Sequence, residues 1–318
     1  MPESRAFRWI AAAAAFAALA VLADRGATVG FGHAMPWAAR RGGAGESGDA
    51  TVYRALQVDA ELVILGHSRA RHDYKPDVIA DGLETTVYNA GKNGQGLWYT
   101  LGMTDLLLRE SDPTILIIDI DPQSIVFNRR QHDAIAFLAT HLDRSPVIRE
   151  LIYGQSTFER LKYLSHAFRF NSRFVQMLAT AFGPMDSPNG FTPLTRRLDP
   201  ARDKDASESW GPGEWPVDPE LESILIRTIE TAHARGVRVM LVTAPVWNRT
   251  GTPDPRQPPL VERIDAIARA HRVPWLRITA ETHPVFADPA MFADGTHLNE
   301  VGADAFSTLV AEWAAAHR

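Results

Sequence analysis

Residues 61–74 read ELVILGHSRARHDY. The first five, ELVIL, form a short apolar run of the kind that makes a buried strand. The small Gly66 then permits a tight turn, and Ser68 follows at the start of a polar segment. Working outward, four more β-rich runs occur: TTVYN at 85–89, TILIIDI at 114–120, VRVMLVT at 237–243 and VPWLRIT at 273–279. Helical periodicity separates them at residues 75–82, 96–109, 219–235 and 260–271, and closes the chain at 300–314; a short helix is expected at 53–58. Strands alternating with helices predict an α/β fold with a parallel sheet covered on both faces. Five strands suit a three-layer α/β/α, flavodoxin-like layout, in which sites lie at the carboxyl ends of the strands.

The composition leaves room for a packed core, with 45% hydrophobic and 22% charged residues among 318. A net charge of −5 gives no support to nucleic-acid binding. The chain has no cysteine, which excludes disulfides, thiolate catalysis and Cys-ligated zinc. Arg5 and Arg8 precede an apolar, Ala-rich run at 9–23, closed by Asp24 and Arg25. That order predicts a signal peptide or signal anchor over 1–25, with the basic end cytoplasmic and the remainder exported. The chain is thus expected outside the cytoplasm, at the periplasm or cell surface, tethered to the inner membrane by 9–23. A soluble Ala-rich helix is the rival reading, but the run lacks a polar face. Residues 26–50 are Gly- and Ala-rich and read as a linker, so the α/β domain spans 51–318. Within it, 129–215 is too long for a structureless connection. Residues 131–182 are helically periodic and 183–215 are rich in Pro, Gly, Asp and Ser, so the stretch reads as a helical cap with an irregular loop over the strand ends.

Three segments at predicted strand ends carry chemistry. Ser68 follows strand one; it serves either as an exposed nucleophile or as a helix N-cap. Asn89 to Gly96 follows strand two, with three glycines in six positions that form either an oxyanion cradle or an ordinary turn. Its spacing matches neither the P-loop nor the dinucleotide fingerprint. Asp294-Gly295-Thr296-His297 precedes the last helix. There a carboxylate can orient an imidazole, as a serine nucleophile requires, unless it is merely a polar turn capped by Asn299. Arg69 and Arg71 read as anion-gripping or solvated, Trp98 and Tyr99 as sugar-stacking or as packing of the second helix. His67, His72 and Asp73 read as solvated turn residues rather than metal ligands, and residues 245–247 as pocket lining.

Taken together, the three segments resemble the SGNH (GDSL-like) hydrolases. Gly66-His67-Ser68 is similar to their first block, Asn89 to Gly94 to their second, and Asp294 to His297 to their Asp-x-x-His block. The resemblance implies an esterase or O-acyltransferase using Ser68, His297 and Asp294, with oxyanion donors from Ser68 and Gly94 and no metal or organic cofactor. Two departures stand out. His67 replaces the usual Asp, and Asp119-Ile120-Asp121-Pro122-Gln123 replaces the Gly-x-Asn-Asp block. An ionised Asp cannot donate a hydrogen bond, whereas Gln123 can. Asp119 and Asp121 are then read as structural. The layout loosely resembles the branch holding the D-alanyl transfer protein and alginate O-acetylation proteins. It implies an acylated cell-envelope glycan as substrate and a membrane-bound O-acyltransferase as partner. The alternative is a non-catalytic binding or scaffold partner of such an acyltransferase.

Overall fold

The computed structural model describes residues 3–41, 49–170, 179, 181–182, 188–251 and 254–318. Five parallel strands, β1 (Leu62–Leu65), β2 (Val87–Asn89), β3 (Ile115–Asp119), β4 (Arg238–Thr243) and β5 (Trp275–Arg277), pair in the order β2-β1-β3-β4-β5. This is the flavodoxin-like order, and each strand lies within the run that its sequence marks. Successive side chains of a strand point to opposite faces. Val63, Leu65, Leu116, Ile118, Val239 and Leu241 therefore enter one core cluster, and Leu62, Ile64, Ile115, Ile117, Met240 and Val242 the other. Helices cover both faces, which is why the strands read as unbroken apolar runs.

The first cluster packs against α5 (Leu97–Glu110), α10 (Pro219–His233) and α11 (Gln257–Ala270); the second packs against α4 (Pro76–Leu83) and α12 (Glu300–Ala315). Asp218 caps α10 by accepting from the Glu220 and Leu221 N–H groups, and Asn299 caps α12 through Val301 and Gly302. Ile64 and Ile117 are wholly buried; truncating either to Ala is expected to cost about 2–5 kcal/mol.

Two parts of the chain differ from the sequence expectation. The N-terminal helix α1 (Glu3–Arg41) does not stop near Arg25, and residues 26–41 are helical rather than a linker. The cause is tertiary. Phe31 stacks on Phe170 with ring centroids 5.2 Å apart, Met35, Ala38 and Ala39 are buried with Tyr53, and the Arg54 side chain donates to the Ala39 carbonyl at 2.6 Å. The residues between 41 and 49 lie outside the described set. α2 (Asp49–Ala55) follows, earlier than the expected 53–58. The first half of α1 is the opposite of the second: Phe7, Trp9, Ile10, Phe16, Leu19 and Leu22 are exposed, and this half is long and apolar enough to cross a membrane.

The stretch 129–215 follows the expected placement over the strand ends only in part. Its helical part comprises α6 (Arg129–Ala134), a 3-10 helix (Ile135–His141), α7 (Pro146–Gln155), α8 (Thr157–Lys162) and a further 3-10 turn (Ala167–Phe170). It packs beside α5, where Ile135, Leu138 and Ile148 crowd Gly102, and its start reaches the segment after β2, where the Gln95 amide donates to the Ala134 carbonyl at 3.3 Å and Lys92 lies over the Phe137 ring at 4.1 Å. Asp24 of α1 holds it from the other side, accepting from the Ser165 hydroxyl and from the His166 and Ala167 N–H groups. Residues 188–215, with the short α9 (Ala206–Ser209), run along the strand ends instead: the Asn189 carbonyl accepts from Asn89 N–H and the Thr192 carbonyl takes the His72 ring. The helical periodicity expected across 171–178, 180 and 183–187 lies outside the described residues.

Candidate active site

β1 ends at Leu65, and Gly66 turns the chain with φ 153°. A Cβ at Gly66 would meet Ala70 and Asp119 side chains at 2.8 Å, so only glycine lets β1, the next helix and β3 converge here. The helix is α3 (Ser68–Asp73), and its N-cap is His67, whose Nδ1 accepts the Arg69 N–H at 3.3 Å. Capping therefore falls to His67, which removes the reading of Ser68 as N-cap and leaves its hydroxyl available.

That hydroxyl lies 2.8 Å from His297 Nε2. The other ring nitrogen, Nδ1, lies 2.9 and 3.0 Å from the two Asp294 oxygens. A carboxylate at Nδ1 holds the proton there, so Nε2 is the acceptor for the Ser68 O–H. Asp294 also accepts from the N–H groups of Thr296 and His297 and from the Thr296 hydroxyl, at 2.8–3.0 Å. Burial pushes its carboxyl upward, but the hydrogen bonds from His297 and Thr296 outweigh that and hold it well below the usual carboxylate range. The His297 side chain keeps 20% of its surface exposed, so a substrate can reach it.

The loop that carries this pair is tied down at several points. Ala293 N–H donates to the His297 carbonyl at 2.9 Å and Trp247 N–H donates to the Gly295 carbonyl at 3.0 Å. Arg196 donates to the Ala293 carbonyl at 2.7 Å, and Asp73, at the end of α3, accepts the Leu298 N–H at 2.9 Å. The last contact joins the helix that begins at Ser68 directly to the loop that bears His297. Asp73 is wholly buried, and burial raises its carboxyl well above the usual range. Sequence reasoning missed Thr296 and Asp73 as positioning residues. The Thr of D-G-T-H was a signal that could have found the first; nothing in the local sequence marks the second.

The segment after β2 approaches from the other side. Asn89 donates to the Ala70 and Tyr74 carbonyls at 2.6 and 3.0 Å and accepts the Gly91 N–H at 2.9 Å, so it fastens β2 to α3. A Cβ at Gly91 would fall 2.6 Å from Ala70 Cβ and from Arg71 N, a contact only glycine allows. The backbone N–H groups of Ser68 and Gly94 donate to no described residue. The Gln123 amide nitrogen is buried and without a hydrogen-bond partner among the described residues.

The acids at the end of β3 are each engaged through one oxygen, while Asp119 Oδ2 and Asp121 Oδ1 have no hydrogen-bond partner among the described residues. Asp119 accepts the Tyr74 hydroxyl at 2.9 Å. Asp121 lies 3.0 Å from His67 Nε2 and 3.1 Å from Arg69 Nη2. Because His67 Nδ1 accepts from Arg69 N–H, its proton sits on Nε2 and points at Asp121. Burial raises the Asp121 carboxyl, yet the Arg69 charge and the His67 hydrogen bond win and hold it well below the ordinary range. Arg69, expected as a substrate-binding residue beside Ser68, is turned inward: 4% of its side chain is exposed, it donates to the Ala244 carbonyl at 3.3 Å, and it stands in the wall of a cavity next to the site. His72 packs edge-on to His297 with ring centroids 5.6 Å apart. His67, His72 and Asp73 thus turn to different partners and do not converge. Trp98 donates to Glu220 at 3.0 Å and Tyr99 to the Ala90 carbonyl at 2.8 Å; both are buried against the sheet, not presented to a sugar.

A cavity of about 510 Å³ opens next to this site, at the ends of β4 and β5, with Arg69, Val246, Trp247 and Arg277 in its wall. No protein-family model matches the chain, and no curated protein does. Among solved structures, a candidate acylhydrolase from Bacteroides fragilis NCTC 9343 aligns over 80% of this chain and 86% of its own, at 14% identity and a TM-score of 0.37. A protein from Streptococcus pneumonia described as a candidate platelet activating factor aligns over 83% of this chain and 91% of its own, at 11% identity and a TM-score of 0.38. At these scores neither likeness assigns an activity.

Proposed function

We propose that this chain is an SGNH-type serine esterase or O-acyltransferase that acts on acyl esters of a cell-envelope polysaccharide. The observation that carries the reading is the 2.8 Å contact between Ser68 Oγ and the His297 nitrogen opposite the Asp294 carboxylate. Three residues from the two ends of the chain form one hydrogen-bonded relay, which is the arrangement a serine nucleophile needs.

In this mechanism Ser68 Oγ attacks the ester carbonyl while His297 Nε2 takes its proton. The tetrahedral oxyanion meets the N–H groups of Ser68 and Gly94, and the amide of Gln123 supplies a third donor where related enzymes use Asn. Collapse breaks the bond to the sugar oxygen, which leaves with the proton from His297. Water then attacks the acyl-serine in an esterase, or a second sugar hydroxyl does so in an acyltransferase; His297 takes the attacking proton, and collapse breaks the acyl–Oγ bond as His297 returns that proton to Ser68, freeing the acid or the new ester. Asp294 holds the tautomer throughout and stays ionised. Each oxyanion donor removed is expected to cost about 10²–10³-fold in kcat.

The exposed apolar half of α1 supports attachment to a membrane, and the basic Arg5 and Arg8 support a cytoplasmic N-terminus; on this reading the α/β domain lies outside the cytoplasm. A membrane-bound O-acyltransferase is the fitting donor or recipient of the acyl group. The competing role, a non-catalytic binding or scaffold partner of that acyltransferase, draws on Asp121, which occupies the place of an oxyanion donor and is ion-paired. Acetate release from O-acetylated glycans separates the two. The enzyme releases acetate, and His297→Ala abolishes the release; a folded wild-type protein that releases none from any acylated glycan or aryl acetate is the binder.

A further inference from the structure

The apolar run of α1 ends at Ala23, and Asp24 is the first charged residue after Arg8. A helix over residues 5–23 rises about 28 Å, close to the roughly 30 Å thickness of a bilayer's hydrocarbon, so Asp24 stands where α1 leaves it. The same residue is where the helical part of 129–215 grips α1. Its carboxylate accepts from the Ser165 hydroxyl at 2.5 Å and from the His166 and Ala167 N–H groups at 2.9 and 3.0 Å. The loop after α8 is therefore fixed at the height of the bilayer boundary.

The surface beside that anchor point is apolar. Along α8 and its end, Glu159 and Tyr163 turn inward, while Phe158, Leu161 and Leu164, three residues apart, turn outward. These three are 67%, 63% and 69% exposed, as far as Phe16, Leu19 and Leu22 on the free half of α1, at 65–75%. Phe168, next to Ala167, adds an exposed ring. Large apolar side chains gathered in water mark a contact surface. Leu164 directly precedes Ser165, so it lies one residue, about 3.8 Å, from the hydroxyl-bearing residue that Asp24 holds. Phe158 is six residues earlier, about 9 Å at helical rise. That distance matches the roughly 5–10 Å over which an interfacial segment meets headgroups and upper acyl chains. Arg160 and Lys162 alternate with the apolar residues and are exposed. Glu159 pairs with Lys162 at 2.6 Å, which leaves Arg160 as the surplus cation for an anionic headgroup.

We infer that Phe158, Leu161 and Leu164 dip into the near leaflet of the bilayer that α1 crosses, so that the α/β domain is held to the membrane at two points. This rests on the reading of α1 as a membrane span and adds a lipid-binding surface to it. A lone helix leaves the domain free to tilt, whereas a second contact some residues away from the helix axis fixes the tilt. The start of the same helical part touches the segment after β2, through Gln95 and the Ala134 carbonyl. The seat on the membrane therefore also sets the height of the rim of the site.

The chain has no cysteine, so a single reporter can be placed at will. The test uses full-length protein in vesicles of phosphatidylcholine and phosphatidylglycerol, with an environment-sensitive fluorophore on Phe16→Cys, Leu161→Cys, Leu164→Cys or Val301→Cys. All four positions are exposed, so the substitutions should leave the fold intact. Val301 lies on α12, which covers the other face of the sheet, and serves as the reference in water. Labels at Leu161→Cys and Leu164→Cys are expected to shift to the blue and to lose fluorescence to a nitroxide near the headgroup end of the acyl chain, while the label at Val301→Cys does neither. Quenching of Phe16→Cys by a nitroxide near the methyl end reports the span separately. Quenching at Phe16→Cys with positions 161 and 164 as unquenched as 301 overturns the second contact and leaves the span standing. A blue shift at 161 and 164 without quenching by lipid also overturns it, since a second copy or another protein then covers the patch. No quenching at Phe16→Cys removes the span and the second contact with it.

Discussion

The carboxyl ends of β1 and β3 lie side by side in the sheet and are both crowded with polar side chains, yet they use them in opposite ways. After β1, His67 takes over the capping of α3, so the Ser68 hydroxyl is left to meet His297. After β3, Asp119 and Asp121 turn to Tyr74, His67 and Arg69, with one oxygen of each left without a hydrogen-bond partner among the described residues. A polar residue at a strand end becomes chemistry or scaffold according to which neighbour satisfies it first. His67 belongs to both ends, since it caps one and pairs the other.

Four changes separate the two ends, beginning with the largest effect. Ser68→Ala or His297→Ala is expected to lower ester turnover by about 10⁴-fold or more without moving the urea midpoint, since the relay acts as a unit. Asp294→Asn and Asp121→Asn form the sharper contrast. The first mis-sets the His297 tautomer and is expected to lower kcat by about 10²–10⁴-fold. The second leaves the buried Arg69 charge without its ion partner and is expected to cost about 3–5 kcal/mol in urea unfolding. If Asp121→Asn removed activity and spared stability, the division of labour between the two ends would be wrong.

The third prediction concerns acid. Asp121 and Asp294 both have folded-state pKa values held below the ordinary carboxylate value. Their contribution is present above that ordinary value, about 4, and is lost as pH falls through the depressed values. Unfolding free energy should therefore fall on acidification below about pH 4, with a shallower fall in Asp121→Asn. The smallest effect belongs to Asp73, whose folded pKa is raised by burial. The sign reverses: the stability linked to its proton is present below about pH 4 and is lost as pH rises. Asp73→Asn keeps an acceptor for Leu298 N–H, so it should raise the melting temperature by a few degrees at pH 7, with the gain shrinking toward pH 4.

Much of the fold was legible because its signals are local. Buried parallel strands are continuous apolar runs, and glycine, proline and Asn299 punctuate them. The convergence of Ser68, Asp294 and His297 was legible from their place at strand ends. What escaped depends on partners far away in sequence. Residues 26–41 read as a linker because Gly and Ala dominate; their helix is fixed by Tyr53, Arg54 and Phe170. The helical part of 129–215 was expected over the strand ends; its start does reach the segment after β2, but its apolar residues pack on α5, which no local signal marks. The inward turn of Arg69 toward Asp121 and Ala244 was not legible, because adjacency to Ser68 says nothing about where a long side chain ends.

The central claim is that His297 activates Ser68. Reaction with a fluorophosphonate, followed by mass spectrometry of the Ser68 peptide, tests it most directly. The account predicts a covalent adduct on Ser68 in the wild-type protein, formed at least about a hundredfold more slowly in His297→Ala. No adduct on folded protein, or equal rates in the two proteins, would contradict it.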